Sequence, residues 1–268
     1  MHLVYKKTVF AGSVLFVLFV VFSGFFLPDA NTIHAEATLQ SPSLSHPFGT
    51  DQFGRDVFLR TVHGFRYTFC LALIIIAVSF PLGLGFGLVV GYYGCIIDDF
   101  FYHLSNIILS FPIIILALLI AALTDSNMGY LLLLIIIGMI ITVSKIVRSE
   151  VLIIKHAAYI RNLRILGASD FRIISCHLAL KAFRLLLPLA ALFTGHIIIS
   201  ISTFSFLGFG IQPPQPEIGT MLHESLRFIS LAPYLMFLPG GFQFCMVLLL
   251  VHLSKYAKKS IAKNYRKE

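Results

Sequence analysis

Long apolar runs, separated by shorter polar segments, set the pattern of this chain. A helix needs about 20 mostly apolar residues to cross the hydrocarbon core of a bilayer. The runs that reach this length are residues 8–27, 67–91, 104–123, 128–147, 186–207 and 234–253. The pattern therefore predicts an all-α integral membrane protein with six transmembrane helices.

The first run allows an alternative interpretation as a secretory signal. It follows the basic start MHLVYKK and precedes Ala35-Glu36-Ala37, an A-x-A pattern that resembles a cleavage site. The run is nevertheless longer than the roughly 7–15 residues of a signal core, and the A-x-A pattern lies well beyond its end. We therefore expect residues 1–27 to form a retained N-terminal transmembrane helix.

The distribution of lysine and arginine predicts the orientation, because cytoplasmic segments carry an excess of both. With the N-terminus inside, sixteen of the 20 basic residues are cytoplasmic. The four that lie outside are Arg55, Arg60, Arg66 and Arg227. Both termini are therefore predicted to be cytoplasmic. Residues 28–66 become the largest external loop, and residues 148–185 become the largest cytoplasmic loop.

Composition supports lipid as the main surroundings of the chain. Charged residues make up only 12% of the 268 residues, whereas soluble domains average about 25%. The net charge of +8 comes mostly from segments predicted to be cytoplasmic, so it fits membrane orientation and indicates no nucleic-acid surface. No C-x-x-C or H-x-x-x-H spacing occurs, so we predict no disulfide framework and no metal site.

Glycine positions in the second run predict tight helix packing. Gly83, Gly87 and Gly91 recur at four-residue spacing, which leaves one helix face open to close approach by another helix. Pro81 and, in the third run, Pro112 are compatible with helices whose packed neighbours satisfy the freed backbone groups.

No charged side chain lies deep within a run, since Lys145 is at the end of the fourth; the ionisable exceptions are His196 in the fifth and His252 in the sixth. An ionisable side chain at membrane depth is a functional candidate, so His196 is a candidate for a translocation path, although a neutral histidine also suits an ordinary core position. The runs bury no carboxylates of the kind that a proton-driven transporter uses. They also show no clustered Asp, His or Ser pairs for a membrane-embedded enzyme.

Nucleotide chemistry is not expected on this chain either. A phosphate-binding loop requires the dipeptide Gly-Lys, which does not occur in the sequence. We therefore predict no catalytic residue and no cofactor, and we expect any ATP to be hydrolysed by another polypeptide.

The largest predicted cytoplasmic loop has the pattern of two helices joined by a glycine turn. Residues 155–166 place apolar positions on one side, and Gly167 suits a left-handed C-terminal cap. Ser169 or Asp170 is positioned to cap a second helix, and the pair is predicted to lie at the membrane surface. The pattern is compatible with a plain interfacial loop and with a docking element for a soluble partner.

The external segment 46–60 predicts a glycine turn followed by a short amphipathic helix. Asp51, Arg55 and Asp56 are close enough in sequence to pair locally. On pattern alone, this segment is an ordinary solvated loop without catalytic chemistry.

Four segments together resemble the inner-membrane permeases of ATP-binding-cassette importers, specifically the C-type permease of the dipeptide, oligopeptide and nickel group. They are HPFGTDQFGRDVFLR with the nearby GFR (46–66), VVGYYGCIIDDFFYHLSNIILSFPIIILAL (89–118), YIRNLRILGASDFRII (159–174) and FSFLGFGIQPPQPEIGTML (204–222). The resemblance implies a type I importer transmembrane domain over residues 67–255, followed by a basic cytoplasmic tail over residues 256–268.

The resemblance also implies partners and residue roles. In this family, a short coupling helix in the cytoplasmic loop seats in a groove on an ATPase subunit. The positions implied for this docking stretch are Tyr159, Arg161, Arg164, Leu166, Gly167, Ala168, Ser169 and Asp170. The implied partners are a second homologous permease, two ATP-binding subunits and an extracytoplasmic solute-binding protein. The implied external face for that binding protein includes Asp51, Arg55, Asp56, Gln212 and Glu217.

The chain departs from the family in the coupling loop, where Arg161-Asn162-Leu163 replace Glu-Ala-Ala. The charge reversal implies an ATPase with a matching acidic rim, or weak coupling. The main hypothesis is a permease for a short peptide, nickel or a metal chelate. The alternative is a non-transporting or weakly coupled assembly or sensor subunit. His196 and the short N-terminal region favour nickel slightly, since imidazole suits such ions.

Overall fold

The computed structural model describes residues 27–123 and 128–265, together with Phe22. Within this part of the chain the fold is all-helical, and the one β-type pairing is an isolated bridge between Thr50 and Asp56. The helices are α1 (Val57–Tyr93), α2 (Cys95–Ser110), α3 (Ile113–Leu123), α4 (Met128–Ile154), α5 (Ala158–Ile165), α6 (Asp170–Phe206), α7 (Ile218–Ser225) and α8 (Tyr234–Tyr265). Short 3-10 turns lie at Ala35–Ala37 and Leu226–Phe228.

Four of these helices, α1, α4, α6 and α8, are long and apolar enough to cross a membrane. They contain the predicted second, fourth, fifth and sixth spans, apart from residue 207, which follows α6. Helices α2 and α3 together supply a fifth candidate crossing, bent by 74°. The predicted first span, apart from Phe22 and Leu27, lies outside the described residues. A total of six spans and the placement of the termini therefore stay predictions.

The third predicted span is not one continuous helix. It breaks between α2 and α3, at Phe111 and Pro112, where Phe111 has an extended backbone (φ −80°, ψ 128°). Proline lacks an amide proton and disfavours the helical conformation of the residue before it. Pro81, in contrast, is accommodated inside α1. The predicted third span is therefore broken at Pro112 and forms a bent pair of helices.

Helices α1 and α4 pack closely along the predicted glycine face. A Cβ atom added at Gly83, Gly87 or Gly91 would lie 2.7, 2.6 or 2.9 Å from the Cβ atom of Val143, Val147 or Val151, respectively. Such distances leave no room for any side chain, so the glycines allow this contact. The paired numbers rise together along both helices, so α1 and α4 run parallel. The bent pair must therefore return the chain to the other end of the bundle between them.

The connecting segments gather at two opposite ends of the bundle. At one end, residues 27–56 meet the segment around α7, where Arg55 Nη2 lies 3.8 Å from Glu224 Oε2. At the other end, the Tyr92 hydroxyl donates a hydrogen bond to Asp170. This arrangement agrees with the predicted grouping of external and cytoplasmic loops. The assignment of each end to a side of the membrane is still predicted from the basic residues.

Two predicted loop boundaries need correction. Helix α1 begins at Val57, ten residues before the predicted span, because Asp56 caps it by accepting from the Leu59 amide at 2.9 Å. The second helix of the cytoplasmic loop continues into the fifth predicted span as α6, through a π-helical segment at Ile173–Leu178. It is therefore not a separate helix lying beside the bundle.

Candidate functional site

The loop between α4 and α6 forms the predicted helix, glycine turn and helix start. The first helix, Ala158–Ile165, is shorter than the predicted 155–166. Gly167 has φ +79°, a left-handed conformation that glycine adopts without a side-chain penalty. The amides of Gly167 and Ala168 donate to the carbonyls of Arg164 and Leu163, both at 3.0 Å, which is the Schellman arrangement of a helix end.

Ser169 begins the next helix, as the sequence predicted. Its hydroxyl accepts from the Arg172 amide at 3.4 Å. Of the two predicted caps, Ser169 therefore fills this role, which leaves the Asp170 carboxylate free to bind elsewhere.

The turn presents an exposed apolar surface. Ile165, Leu166 and Phe171 are 84%, 82% and 81% exposed, which is unusual for three large apolar side chains around one turn. We call these three side chains the apolar tip. The exposed arginines near it are Arg161, Arg164 and Arg172. A basic surface with an apolar centre suits an acidic protein surface with an apolar groove.

The loop is attached to the end of α1 by three contacts. The Tyr92 hydroxyl donates to Oδ1 of Asp170. The Arg164 guanidinium lies 5.3 Å from the centre of the Tyr92 ring. Lys155 Nζ donates to the Gly91 carbonyl at 2.9 Å, where a cation also complements the negative end of the α1 dipole. Displacement of the loop must therefore move or strain the end of α1.

A second set of contacts joins the loop to α6. Lys181 Nζ lies 4.3 Å from the centre of the Tyr159 ring, and the His177 ring centre is 6.4 Å away. The Tyr159 hydroxyl is buried and has no hydrogen-bond partner among the described residues. Through Tyr92 and Tyr159, the loop therefore contacts both α1 and α6.

Sequence reasoning missed these attachments and a neighbouring ion pair. Arg148 on α4 binds Asp98 on α2, with Nη2 and Oδ2 2.7 Å apart. Lys145 Nζ likewise donates to Asn106 Oδ1 at 2.8 Å. Opposite charges at the ends of neighbouring spans were the available signal for the ion pair. The Tyr92 contact had no such signal, because its partner lies 78 residues away.

The segment 46–56, predicted to be external, is partly buried: Gly49, Thr50, Asp51, Gly54 and Arg55 are buried, whereas Pro47 and Phe53 are exposed. The Asp51 carboxylate accepts from the Phe53 and Arg55 amides at 2.8 and 3.0 Å and from Arg55 Nε at 2.6 Å. Asp51 and Arg55 are 7% and 5% exposed. The predicted local pairing of Asp51 with Arg55 is confirmed, but Asp56 instead caps α1 and pairs with His46 at 2.7 Å. The expectation of an ordinary solvated loop is wrong.

Glu217 is also inside the fold. It is 0% exposed and accepts from the Ser202 hydroxyl at 2.5 Å and from the Thr220 amide at 3.0 Å, which caps α7. Thr68 Oγ1 on α1 lies 3.5 Å away. Of the five residues predicted for a binding-protein face, Gln212 is exposed and Asp56 is partly buried, whereas Asp51, Arg55 and Glu217 are buried. The buried three therefore do not lie on the surface at that end of the bundle.

His196 lies on an exposed face of α6. It lines a groove of about 310 Å³ together with Ser200 on the same helix, Thr142 on α4 and apolar residues around the bend at Pro112. His252, on α8, is exposed as well.

Comparisons with known proteins are consistent with this geometry. Residues 83–257 match the family described as binding-protein-dependent transport system inner membrane component. The chain belongs to this family. It is 32% identical over 239 residues to the dipeptide transport system permease protein DppC of Alkalihalophilus pseudofirmus, covering 88% of this chain and 79% of the relative.

Other relatives carry related names. The chain is 31% identical over 209 residues to the glutathione transport system permease protein GsiD of Pectobacterium atrosepticum, covering 78% of this chain and 69% of the relative. It is 29% identical over 192 residues to DppC of Haemophilus influenzae, covering 72% and 65%.

As a member of this family of inner-membrane components, the chain is a multi-pass protein of the plasma membrane and a permease of an ATP-binding-cassette importer. Its relatives are membrane permease subunits. The matched region includes the loop between α4 and α6, the groove beside His196 and most of α8.

Proposed function

We propose that this chain forms half of the translocation pathway for a short peptide and leaves ATP hydrolysis to separate ATPase subunits. The names of its relatives support a peptide, since one is a dipeptide permease and another is a permease for glutathione, itself a short peptide. A second homologous permease would form the other half of the pathway. A solute-binding protein would deliver the substrate at the end formed by residues 27–56 and 207–233.

The observation that carries the proposal is the attachment of an exposed apolar tip to two long helices. An ATPase groove would cover the tip, and closure of the two ATPases on ATP would displace the loop. The contacts at Tyr92 and Tyr159 would pass this displacement to α1 and α6. Binding energy at the ATPase would in this way shift the bundle between inward-facing and outward-facing arrangements.

The basic residues beside the tip define the partner surface further. Arg161 stands where the family carries an acidic residue, and Arg172 is exposed nearby. We propose an ATPase whose groove has an acidic rim opposite these arginines. Exposed ion pairs of this kind are screened by salt. Association of the ATPase with this chain should therefore be weaker at about 1 M salt than at about 0.1 M salt, because the Debye length is shorter at the higher concentration.

The experiment that tests this function is uptake by the importer reconstituted with its partner subunits, comparing Leu166→Ala with Leu166→Met. Loss of roughly three buried carbon groups would weaken docking by about 2 kcal/mol, so the alanine variant should lose ATP-dependent uptake and co-purification of the ATPase. Methionine retains the apolar area and should behave like the wild type. Equal uptake by the alanine variant and the wild type would remove the tip from the mechanism.

Substrate identity is tested in the same vesicles. We expect uptake of a radiolabelled dipeptide or glutathione, whereas nickel, which the sequence favoured slightly, should not accumulate. Accumulation of nickel without either peptide would overturn the peptide proposal. The alternative of a non-transporting subunit rested on residues 161–163, and no feature of the described loop favours it.

A further inference from the structure

The exposed face of α6 changes character halfway along the helix. Residues at alternating spacings of three and four share one face of a helix. On this face the earlier turns carry Leu185, Leu189 and Leu192, and the later turns carry the exposed His196 and Ile199 together with the half-buried Ser200 and Thr203. His196 is ten residues before the end of α6, about 15 Å along the helix axis. The polar half therefore begins within the apolar zone of the bilayer, which is about 30 Å thick.

Two grooves open on either side of this polar half. The first, of about 310 Å³, contains His196 and Ser200. The second, of about 540 Å³, contains Thr203 together with Ser202 and Gln243 on α8. Both volumes fall within the roughly 300–1,000 Å³ of pockets that hold small molecules. Most of the other lining residues of both grooves are apolar. An ionisable imidazole such as that of His196 is unfavourable against acyl chains at this depth, so this position suits a polar occupant better than lipid.

The hydrogen-bonding groups on this face are two hydroxyls and an imidazole ring. The Ser200 hydroxyl donates to the His196 carbonyl at 3.0 Å, and the Thr203 hydroxyl donates to the Ile199 carbonyl at 2.8 Å. Each hydroxyl oxygen therefore keeps acceptor lone pairs that can face outward. The imidazole ring of His196 adds an N–H donor. The face therefore offers hydroxyl acceptors and a ring N–H donor, which complement amide N–H and C=O groups.

We propose that His196, Ser200 and Thr203 form a peptide-contacting stripe that hydrogen-bonds the main chain of the passing substrate. Main-chain amides are common to all short peptides, so the stripe acts on a peptide irrespective of the charge of its side chains. This inference rests on the proposed function and extends it to the substrate-contacting residues. The leucine half of the same face offers no side-chain hydrogen-bonding groups and is not part of the stripe.

The test uses the importer reconstituted with its partner subunits and the triple variant His196→Leu, Ser200→Ala and Thr203→Val. Uptake is measured for three labelled dipeptides, one neutral, one acidic and one basic, over a range of concentrations of peptide-loaded binding protein. We expect the apparent KM for peptide-loaded binding protein to rise about tenfold for all three peptides, the loss expected for two or three neutral hydrogen bonds. Leu192→Ala, on the same face, is the matched control and should leave KM unchanged.

Other outcomes distinguish failure of the stripe proposal from failure of the proposed function. Absence of peptide uptake by the wild type would overturn the proposed function itself. Wild-type uptake with an unchanged KM in the triple variant would overturn the stripe alone. Failure of the triple variant to assemble with the second permease would also overturn it, because the face would then be an interface between subunits. A KM change confined to the acidic or the basic peptide would contradict recognition through the main chain.

Discussion

The contact between α1 and α4 yields a sharp prediction, because the same helix offers a matched pair of glycines. A Cβ atom at Gly87 would lie 2.6 Å from the Val147 Cβ atom and 2.7 Å from the Ser144 carbonyl oxygen. A Cβ atom at Gly85, two residues earlier, would meet nothing within 4 Å. Gly87→Ala and Gly85→Ala therefore add the same methyl group to one helix with opposite steric consequences.

The magnitudes follow from two opposing effects. Overpacking of a tight contact lowers stability by about 1–3 kcal/mol. Replacement of glycine by alanine within a helix raises stability by about 1 kcal/mol. The helix effect is common to both variants, so Gly87→Ala should be less stable than Gly85→Ala by about 1–3 kcal/mol. For a chain of this size, that corresponds to a difference in Tm of roughly 2–12 °C.

The assay is thermal unfolding of the purified importer in detergent, followed for both variants and the wild type. We expect Gly85→Ala to match or exceed the wild-type Tm and Gly87→Ala to fall below it. ATP-dependent uptake should follow the same order, since α1 and α4 would no longer pack as one unit. Equal Tm values for the two variants would refute the close approach of these helices.

Three further predictions concern the two ends of the bundle. Glu217→Ala should lower stability by about 2–4 kcal/mol in the same thermal assay, since it removes a helix cap and leaves buried donors unpaired. Glu217→Gln should retain most of the wild-type stability. Tyr92→Phe removes the hydrogen bond to Asp170 and should reduce uptake per ATP hydrolysed while ATPase co-purification is retained. Gly54→Ala would place a Cβ atom 1.9 Å from the His34 carbonyl oxygen, so the yield of folded protein measured by size-exclusion chromatography should fall.

Local patterns in the sequence predicted the features that depend on neighbouring residues. The four-residue spacing of glycines predicted a close helix contact on this face of α1, although not that α4 makes it, and the combination of Gly167 and Ser169 predicted the turn between α5 and α6. The sequence also contains Pro112, but whether a proline breaks a helix depends on whether neighbouring residues satisfy the freed backbone groups. The sequence does not contain that information, and the structure has a bend of 74° there.

The burial of charged residues could not be predicted from the sequence for a different reason. Asp51, Arg55 and Glu217 look like surface residues in sequence, since charged side chains are rarely buried unless paired. Their partners come partly from distant segments, as with Ser202 for Glu217 and Glu224 for Arg55. Sequence spacing suggested the pairing of Asp51 with Arg55 but not its depth. The buried contacts of Asp51 and Arg55 therefore lie inside the end of the bundle that the basic residues predict to be external.

The central claim is that the apolar tip docks on an ATPase, and photo-crosslinking tests it most directly. A photo-reactive amino acid replaces Leu166 in the tip or, as a control, the fully exposed Leu44 at the opposite end of the bundle. We expect irradiation of the assembled importer to join the ATPase subunit to position 166 and not to position 44. Capture of the ATPase from position 44, with none from position 166, would contradict both the orientation of the chain and its coupling to ATP hydrolysis.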